Sequence, residues 1–328
     1  MPPRRIEDEI EALNRLCSGT PADAAAPLRK ALSDRVNLIV AKAAKLAAEM
    51  RLQDLLPDLL RAFDRLFEKP VERDPQCWGK NAIAKALVTL DHHEAAPFLR
   101  GIRHIQPEPV WGGEEDTAAT LRGTCALALP ACADVTRGQV FRHLVDALAD
   151  RALPVRSDAA RAIAQMEGEE AILLLRLKAR LGDAEVEITG EVFDYLLQLE
   201  REQALPFVAG FLQPSLGPVA EEAALALGSS RQPAAAPLLE EAWNRQRDPG
   251  YRLVLLRSLS ATRQPDALEF LFNLVRNGRA ADAVSALEAL ALHRDSPDIR
   301  RRVEEAASLR EPAVQGQFKQ SFARSENA

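Results

Sequence analysis

Aromatic residues, cysteines and long apolar runs are all scarce in this chain of 328 residues, of which Phe, Trp and Tyr make up 5%. No segment approaches the roughly 18 to 20 uninterrupted apolar residues that a membrane-spanning helix needs, so we predict no membrane segment. The start turns acidic where a secretory signal peptide needs an apolar stretch, and we therefore expect a cytoplasmic protein. The four cysteines lack C-x-x-C spacing and are expected to be reduced and buried. They are Cys17, Cys77, Cys125 and Cys132.

Motifs for enzyme chemistry are also missing. Gly79-Lys80 resembles the end of a phosphate-binding loop, but that motif needs glycine five residues before Gly79 and Ser or Thr after Lys80. Asp74 and Asn81 stand at those positions. The sequence contains no G-x-G-x-x-G, H-E-x-x-H or G-x-S-x-G motif. The neighbouring side chains of His92-His93 diverge in direction, which disfavours a shared metal ion. We therefore predict no enzymatic activity, no cofactor and no metal site.

The chain lacks the excess of basic residues that a phosphate-binding surface needs. The net charge is -6, and residues 181–260 carry six basic and twelve acidic side chains, which accounts for the whole excess. A protein that follows a nucleic-acid backbone normally carries a basic stripe. The charge distribution therefore disfavours a nucleic-acid partner, and we expect a monomer whose partner is a protein or peptide.

A repeated pattern is the strongest positive signal in the sequence. The string Ala-Ala-Ala-Pro-Leu occurs at 24–28 and again at 234–238. Ala-rich segments alternate with segments that place a proline after a small or apolar residue, at intervals of 30 to 40 residues over much of the chain. These prolines are Pro27, Pro57, Pro97, Pro206 and Pro237. A fixed period of this length indicates stacked helix pairs, none of which can bury its apolar face alone. Proline is tolerated in the first turn of a helix, because the backbone N–H groups there have no hydrogen-bond partner within the helix.

The pattern predicts one all-α domain. We expect an N-terminal cap over residues 1–19, repeats over 20–310, and a polar, frayed or disordered tail over 311–328 that docks, if at all, through Phe318 and Phe322. We expect helices throughout the repeats, including 114–129 and 201–212, and we find no strand-type alternation of useful length. Trp243 is expected to lie in the core. Ala159, Ala160, Ala223 and Ala224, which belong to the Ala-rich segments, are expected to be buried between layers.

Two segments resemble a known repeat family. Residues 150–163, Asp-Arg-Ala-Leu-Pro-Val-Arg-Ser-Asp-Ala-Ala-Arg-Ala-Ile, and residues 218–228 are similar to the HEAT repeat. Within that family, they most resemble the short HEAT-like repeats of the phycobilisome-lyase type. The resemblance implies a right-handed α-α superhelix of about eight or nine antiparallel helix pairs. It further implies a non-enzymatic scaffold that binds a protein or peptide along its concave face.

The resemblance leaves two alternative functions open. One is an enzyme or chaperone that handles a tetrapyrrole such as a bilin, because the repeat type is similar to that family. The other is a DNA-binding or DNA-repair protein with HEAT-like repeats, which would use a basic groove with aromatic residues. The acidic stretch over residues 181–260 opposes the second alternative.

Two Trp-Gly segments depart from the repeat pattern. Trp78 and Trp111 are 33 residues apart, which is one repeat, and should lie at one edge in neighbouring layers. One interpretation is structural, with the rings filling long loops. The other is a recognition site, in which the rings and nearby charges hold a partner's Arg or Lys side chain through cation–π contacts. The charged residues of that site are Lys80, Glu114, Glu115 and Asp116.

The inner helices predict a second set of partner-binding residues. Alignment on Arg161 places one outward-facing residue of each repeat in a column, which is basic in the first repeats and mixed in sign afterwards. The column is Lys42, Lys85, Cys125, Arg161, Asp194, Leu225, Arg257 and Glu288. Arg122 belongs to a neighbouring column. We predict that Lys85, Arg122, Arg161 and Asp194 contact the partner.

Overall fold

The computed structural model describes residues 6–16 and 19–322, which form twenty α-helices and one two-stranded sheet. Cys17 and the first five residues lie outside the described parts of the chain. The chain divides into two compact units, Met1–Met166 and Glu167–Ala328. No helix in the described residues is long and apolar enough to cross a membrane.

Unit 1 is a stack of four helix pairs preceded by one helix, with a further four-residue helix, α5, inserted before the second inner helix. The inner row runs α3, α6, α8 and α10, and each packs against its neighbour; α2, α4, α7 and α9 form the outer row. The helices are α1 Ile6–Leu16, α2 Pro21–Leu32, α3 Asn37–Glu49, α4 Leu56–Leu66, α5 Pro70–Arg73, α6 Trp78–Thr89, α7 Ala95–Gly101, α8 Ala119–Ala128, α9 Arg137–Leu148 and α10 Leu153–Met166.

Unit 2 repeats the same arrangement with five pairs. Its inner row runs α12, α14, α16, α18 and α20, and its outer row is formed by α11, α13, α15, α17 and α19. The helices are α11 Gly168–Leu181, α12 Val186–Leu199, α13 Leu205–Ala209, α14 Pro218–Ser229, α15 Ala235–Arg245, α16 Pro249–Thr262, α17 Pro265–Asn277, α18 Ala280–Leu290, α19 Pro297–Ser308 and α20 Pro312–Ser321. The prediction of an all-α fold of about eight or nine helix pairs is confirmed.

Helix starts follow ordinary capping rules. Thr20 caps α2 by accepting a hydrogen bond from the backbone N–H of Asp23, and Pro21 fills the first turn. Pro57 and Pro206 also occupy first turns, as predicted. Pro27 does not, because it lies inside α2. The prediction was therefore wrong for Pro27, and Pro21 plays that part in this helix.

Small residues on the inner helices allow the stacked rows to pack closely. Ala159 and Ala160 of α10 are fully buried, and so are Ala223 and Ala224 of α14. Alanine is a strong helix former whose methyl group keeps the distance between neighbouring helix axes short. The predicted burial of these residues between layers is confirmed.

Replacing Ala160 by leucine is expected to lower the free energy of unfolding by roughly 1–3 kcal/mol, because the added atoms find no space in the joint. Ala26→Leu is the matched control, since Ala26 is exposed on α2. Chemical denaturation of the three proteins checks this prediction. An unfolding midpoint of Ala160→Leu equal to that of the control would show that this joint is not tightly packed.

The structure differs from the sequence prediction between α7 and α8. The predicted helix 114–129 begins only at Ala119, and a hairpin precedes it, with β1 Pro107–Val110 and β2 Gly113–Asp116. Each strand has four residues, too few for alternation of polar and apolar residues to be detected. The predicted helix 201–212 is present in shorter form, as a 3-10 helix over Arg201–Ala204 that continues into α13.

The C-terminal segment is ordered as a helix where a frayed tail was predicted. Helix α20 covers Pro312–Ser321. Phe318 stacks on Phe322 with ring centroids 5.3 Å apart, and Phe322 and Val314 are buried. Helix α20 packs against α18 and α19, which accounts for its order. Residues 323–328 lie outside the described residues.

Candidate functional site

A groove on the inner row of unit 1 combines an apolar floor with cationic sides. It has a volume of about 760 Å³ and lies mainly between α3 and α6. Ala41, Ala82 and Ala86 are among its small residues, and Trp78 lies at one end, 47% exposed. Small side chains in the floor let a ligand approach the helix backbones, while the indole ring offers a large apolar surface. The groove is therefore shaped for a ligand with an apolar face.

Three lysines line this groove. Lys45 forms an ion pair with Glu49 at 3.7 Å, within the same helix. No ion pair is formed by Lys42 or Lys85 within the described residues, and both also line the groove. They stand at corresponding positions of α3 and α6, and neighbouring packed helices are roughly 8–10 Å apart. Two unneutralised cations thus flank an apolar floor at about the distance between two helices.

A strained turn sets the position of Trp78. Gln76 and Cys77, which precede it, both have positive φ angles, 60° and 54°. Residues other than glycine rarely adopt this conformation, and each such residue costs on the order of 1 kcal/mol or more. The carboxylate of Asp74 holds the turn together by accepting hydrogen bonds from the backbone N–H groups of Gly79 at 2.7 Å and Lys80 at 3.0 Å. Helix α6 therefore begins at Trp78, and the indole ring of Trp78 lines the end of the groove.

Lys80, predicted as a partner-binding residue, is instead part of the core. Its side chain is fully buried, and its Nζ lies 3.0 Å from Oδ2 of Asp74. The same ammonium donates to the carbonyl of Leu66 and lies 5.5 Å from the ring centre of Phe67. A buried ammonium needs a carboxylate and further acceptors to offset its loss of hydration. Lys80 pairs with Asp74 rather than with Glu114 or Glu115, so its prediction as a contact residue was wrong.

Arg122 is also buried, so its prediction as a contact residue was wrong. Its guanidinium lies between the carboxylates of Asp116, at 2.6 Å, and Asp150, at 2.8 Å. Burial by itself would lower the pKa of Arg122, but the hydrogen bonds and charges of the two carboxylates raise it above the ordinary value. This ion pair also uses the carboxylate of Asp116, which anchors β2 to α8 rather than facing a partner.

The hairpin is fixed at its base by a second buried carboxylate. Glu108 accepts hydrogen bonds from the backbone N–H of Gln76 at 2.7 Å, from Nε2 of Gln106 at 2.7 Å and from the hydroxyl of Thr117 at 2.7 Å. Burial alone would raise the pKa of Glu108, but these hydrogen bonds lower it below the ordinary value. Since Gln76 precedes Trp78 by two residues, Glu108 connects the hairpin to the end of the groove.

The tip of the hairpin is entirely exposed. Trp111 has a relative exposure of 102%, and Glu114 and Glu115 are exposed on β2. Gly112 follows Trp111 with a φ of +93°, which a side chain would strain. Both Trp78 and Trp111 thus present ring surface to solvent, and the interpretation that they fill loops does not describe either ring. Their role as a binding site stays a prediction.

The remaining predicted contact residues, Arg161 and Asp194, belong to different units. Arg161 has a half-exposed side chain 3.7 Å from Asp158. Asp194 belongs to unit 2, where it lines a pocket of about 490 Å³ together with Arg201 and Ser229. Burial and, to a lesser degree, the charge of Glu191 raise the pKa of Asp194, against a hydrogen bond from Ser229. Both residues stay predicted contacts.

The described cysteines are inert structural residues. Cys77, Cys125 and Cys132 are unpaired and buried. Burial raises the pKa of the Cys77 thiol to about 12 and that of Cys132 to about 11, so the reactive thiolate is scarce at neutral pH. Cys125 was predicted to face outward with the other residues of the Arg161 column, but the structure buries it. No group of three or more metal-binding side chains occurs among the residues that the structure describes.

Sequence reasoning missed part of the groove. Lys42 was placed in the correct column but not among the predicted contacts, and Lys45 was not considered. A usable signal was present, because Lys42 and Lys85 are aligned and both follow small residues, Ala41 and Ala84. Ile10, which α1 contributes to the lining, carries no such signal.

Comparison with known proteins identifies no family. No protein-family model matches the chain, and no curated protein is significantly similar to it. Among solved structures, human deoxyhypusine hydroxylase in complex with glycerol is similar, with 22% sequence identity over 80% of this chain and 92% of that one. The TM-score is 0.30.

The comparison contradicts two predictions from the sequence. The matched protein is an enzyme, which conflicts with a purely non-enzymatic scaffold and with the predicted absence of enzymatic activity. Both predictions are withdrawn. With a TM-score of 0.30, the likeness supports no particular activity or site for this chain either.

Proposed function

We propose that unit 1 recognises an acidic, amphipathic segment of another protein in the groove between α3 and α6. The observation that carries this proposal is the pair Lys42 and Lys85, which have no ion pair within the described residues and flank an apolar floor. The proposed function is recognition of this segment, whether the segment is a substrate or a binding partner. We also infer that the helix pairs are HEAT-like repeats of the phycobilisome-lyase type, from residues 150–163 and 218–228.

The spacing of the cations favours a helical segment with two carboxylates on one face. Lys42 and Lys85 occupy corresponding positions on neighbouring helices, roughly 8–10 Å apart. In an α-helix, residues seven positions apart lie on the same face about 10 Å from each other. Apolar residues between two such glutamates would meet Ala82 and Trp78, so charge and apolar contacts would be made together.

The charges of the surroundings favour a peptide over nucleic acid. A nucleic-acid backbone needs a continuous row of cations, whereas Lys45 in this groove is already paired with Glu49. Arg122 could add to a basic nucleic-acid groove only if it were exposed, and it is buried between two carboxylates. The acidic side chains Glu114 and Glu115 lie on the hairpin that Glu108 connects to the Trp78 end of the groove.

A labelled synthetic helical peptide with leucines between two glutamates seven residues apart tests the proposal. We expect Lys42→Glu with Lys85→Glu to weaken its binding about tenfold, because each ion pair turned into a repulsion costs roughly 0.5–1 kcal/mol. Fluorescence anisotropy at low and high salt measures the affinity. The matched control is Lys30→Glu, since Lys30 is an exposed lysine of α2 outside the groove.

Exchange of the charges makes the test specific. A peptide with lysines in place of its glutamates should bind the doubly substituted protein better than the original protein. Equal binding of the glutamate and lysine peptides by the original protein would overturn the proposal. Tighter binding of a single-stranded oligonucleotide, or of a bilin, at the same groove would contradict it as well.

A further inference from the structure

We propose that the hairpin tip, Pro109–Glu115, is a second recognition element, which binds an arginine-bearing segment of a partner protein. The tip is separate from the groove lining, so the inference goes beyond the proposed function and stands without it. Trp111 would stack on the guanidinium, and Glu114 and Glu115 would supply the opposite charge.

The first support is the exposure of an apolar tip on a short projection. Trp111 is completely exposed, and Val110 next to it has an exposure of 40%. Pro109 is exposed too. A large aromatic side chain in this position orders water around its apolar surface and contributes nothing to the packing of the helices. An indole held away from the protein is a typical anchor for a partner.

The second support is the rigidity of the base. Thr117 donates its backbone N–H to the carbonyl of Gln106 at 3.0 Å, which closes the loop. Glu108 and Asp116, at the inner ends of the two strands, are held by the hydrogen bonds and the ion pair described above. A rigid base means that Trp111 is presented in a defined place, so less conformational entropy is lost on binding.

The third support is the sign of the charges, which selects the ligand. Residues 107–116 include four acidic side chains and no basic one. Two of the four, Glu108 and Asp116, face inward and are already satisfied. Glu114 and Glu115 are left exposed on β2, the strand that follows the tip. A guanidinium stacks on indole and at the same time binds carboxylates through its planar fork, which an ammonium does less well. An arginine side chain therefore fits the tip better than a lysine, an anion or an anionic lipid surface does.

A labelled peptide of alternating arginine and serine is the probe. Its binding to the full chain is followed by anisotropy and by the indole N–H resonances of the three tryptophans. We expect the resonance assigned to Trp111 to shift on titration, with those of Trp78 and Trp243 unchanged. Trp111→Ala should weaken binding at least fivefold, and Glu114→Gln with Glu115→Gln should do the same.

Matched controls separate the tip from general electrostatics. Glu68→Gln with Glu72→Gln removes two exposed charges elsewhere in unit 1 and should leave the affinity unchanged. A peptide with citrulline in place of arginine, which lacks the charge, should not bind. The proposal is overturned if the citrulline peptide binds equally well, if Trp111→Ala binds like the original protein, or if the control pair loses as much affinity as the tip variants. Failure of the groove test would leave these outcomes unaffected.

Discussion

Replacing Asp74 by alanine is expected to lower the free energy of unfolding by roughly 3–5 kcal/mol, the largest effect that the structure predicts. The carboxylate accepts four hydrogen bonds, from Asn37, from the backbone of Gly79, and from both the backbone and the ammonium of Lys80. Its loss would leave a fully buried ammonium without its counter-ion, and would release the strained turn before Trp78. A group that is buried with its charge unpaired is among the costliest defects in a protein core.

A double-mutant cycle with Lys80→Met isolates the contribution of the ion pair. The protein that carries both substitutions should lose less free energy of unfolding than the two single variants lose together, because it buries no unpaired ammonium. Denaturant unfolding followed by far-UV circular dichroism supplies the free energies. The exposed pair Lys69 and Glu72, 3.3 Å apart, is the control and should contribute about 0–1 kcal/mol. Additive effects at Asp74 and Lys80 would refute the importance of the pair.

Replacing Gly228 by valine is expected to destabilise the protein by about 3 kcal/mol. At this point α14 and α16 approach so closely that a Cβ atom on Gly228 would lie 2.5 Å from the carbonyl oxygen and 2.8 Å from the Cα of Ser258. Both are backbone atoms, which cannot rotate away as a side chain can. The two helices would therefore have to separate, and the core of unit 2 would lose contacts on both sides of the joint.

Gly138→Val is the matched control, since Gly138 also lies in a helix but a Cβ atom added to it would meet no other atom within 4 Å. That substitution should stabilise slightly, because valine is a better helix former than glycine. Thermal unfolding of the two variants measures the difference. Equal midpoints would mean that α14 and α16 can separate without loss of stability.

The repeat fold could be predicted because its signals are local. Each repeat carries its own signals, which are proline in a first turn, alanine on the inner helix and a length of 30 to 40 residues. One helix pair can therefore be recognised from its own residues. Burial of Ala160 and Ala224 followed directly from this pattern. The hairpin could not be predicted, because its strands are short and its base is held by Glu108, which binds the backbone N–H of Gln76, 32 residues earlier in the sequence.

The binding residues were harder to predict than the fold for a physical reason. A lysine or arginine in a repeat is normally exposed, and the sequence does not show which one has a buried carboxylate as its neighbour. Lys80 and Arg122 are buried, and their charges are neutralised by Asp74 for the lysine and by Asp116 and Asp150 for the arginine. Lys85 has no such neighbour and was placed correctly at the surface.

The closed base of the hairpin has a consequence for how this chain could diverge. Since Gln106 and Thr117 meet, the inserted segment leaves and re-enters the repeat at one place, and the pairing of α7 with α8 does not depend on its length. Within the segment, Glu108 binds Gln76 in the turn before α6, and Asp116 binds Arg122 of α8. We expect the positions between Glu108 and Asp116 to tolerate exchange, shortening or extension in evolution while the register of the repeats is kept, because surface loops vary more than the elements that they connect.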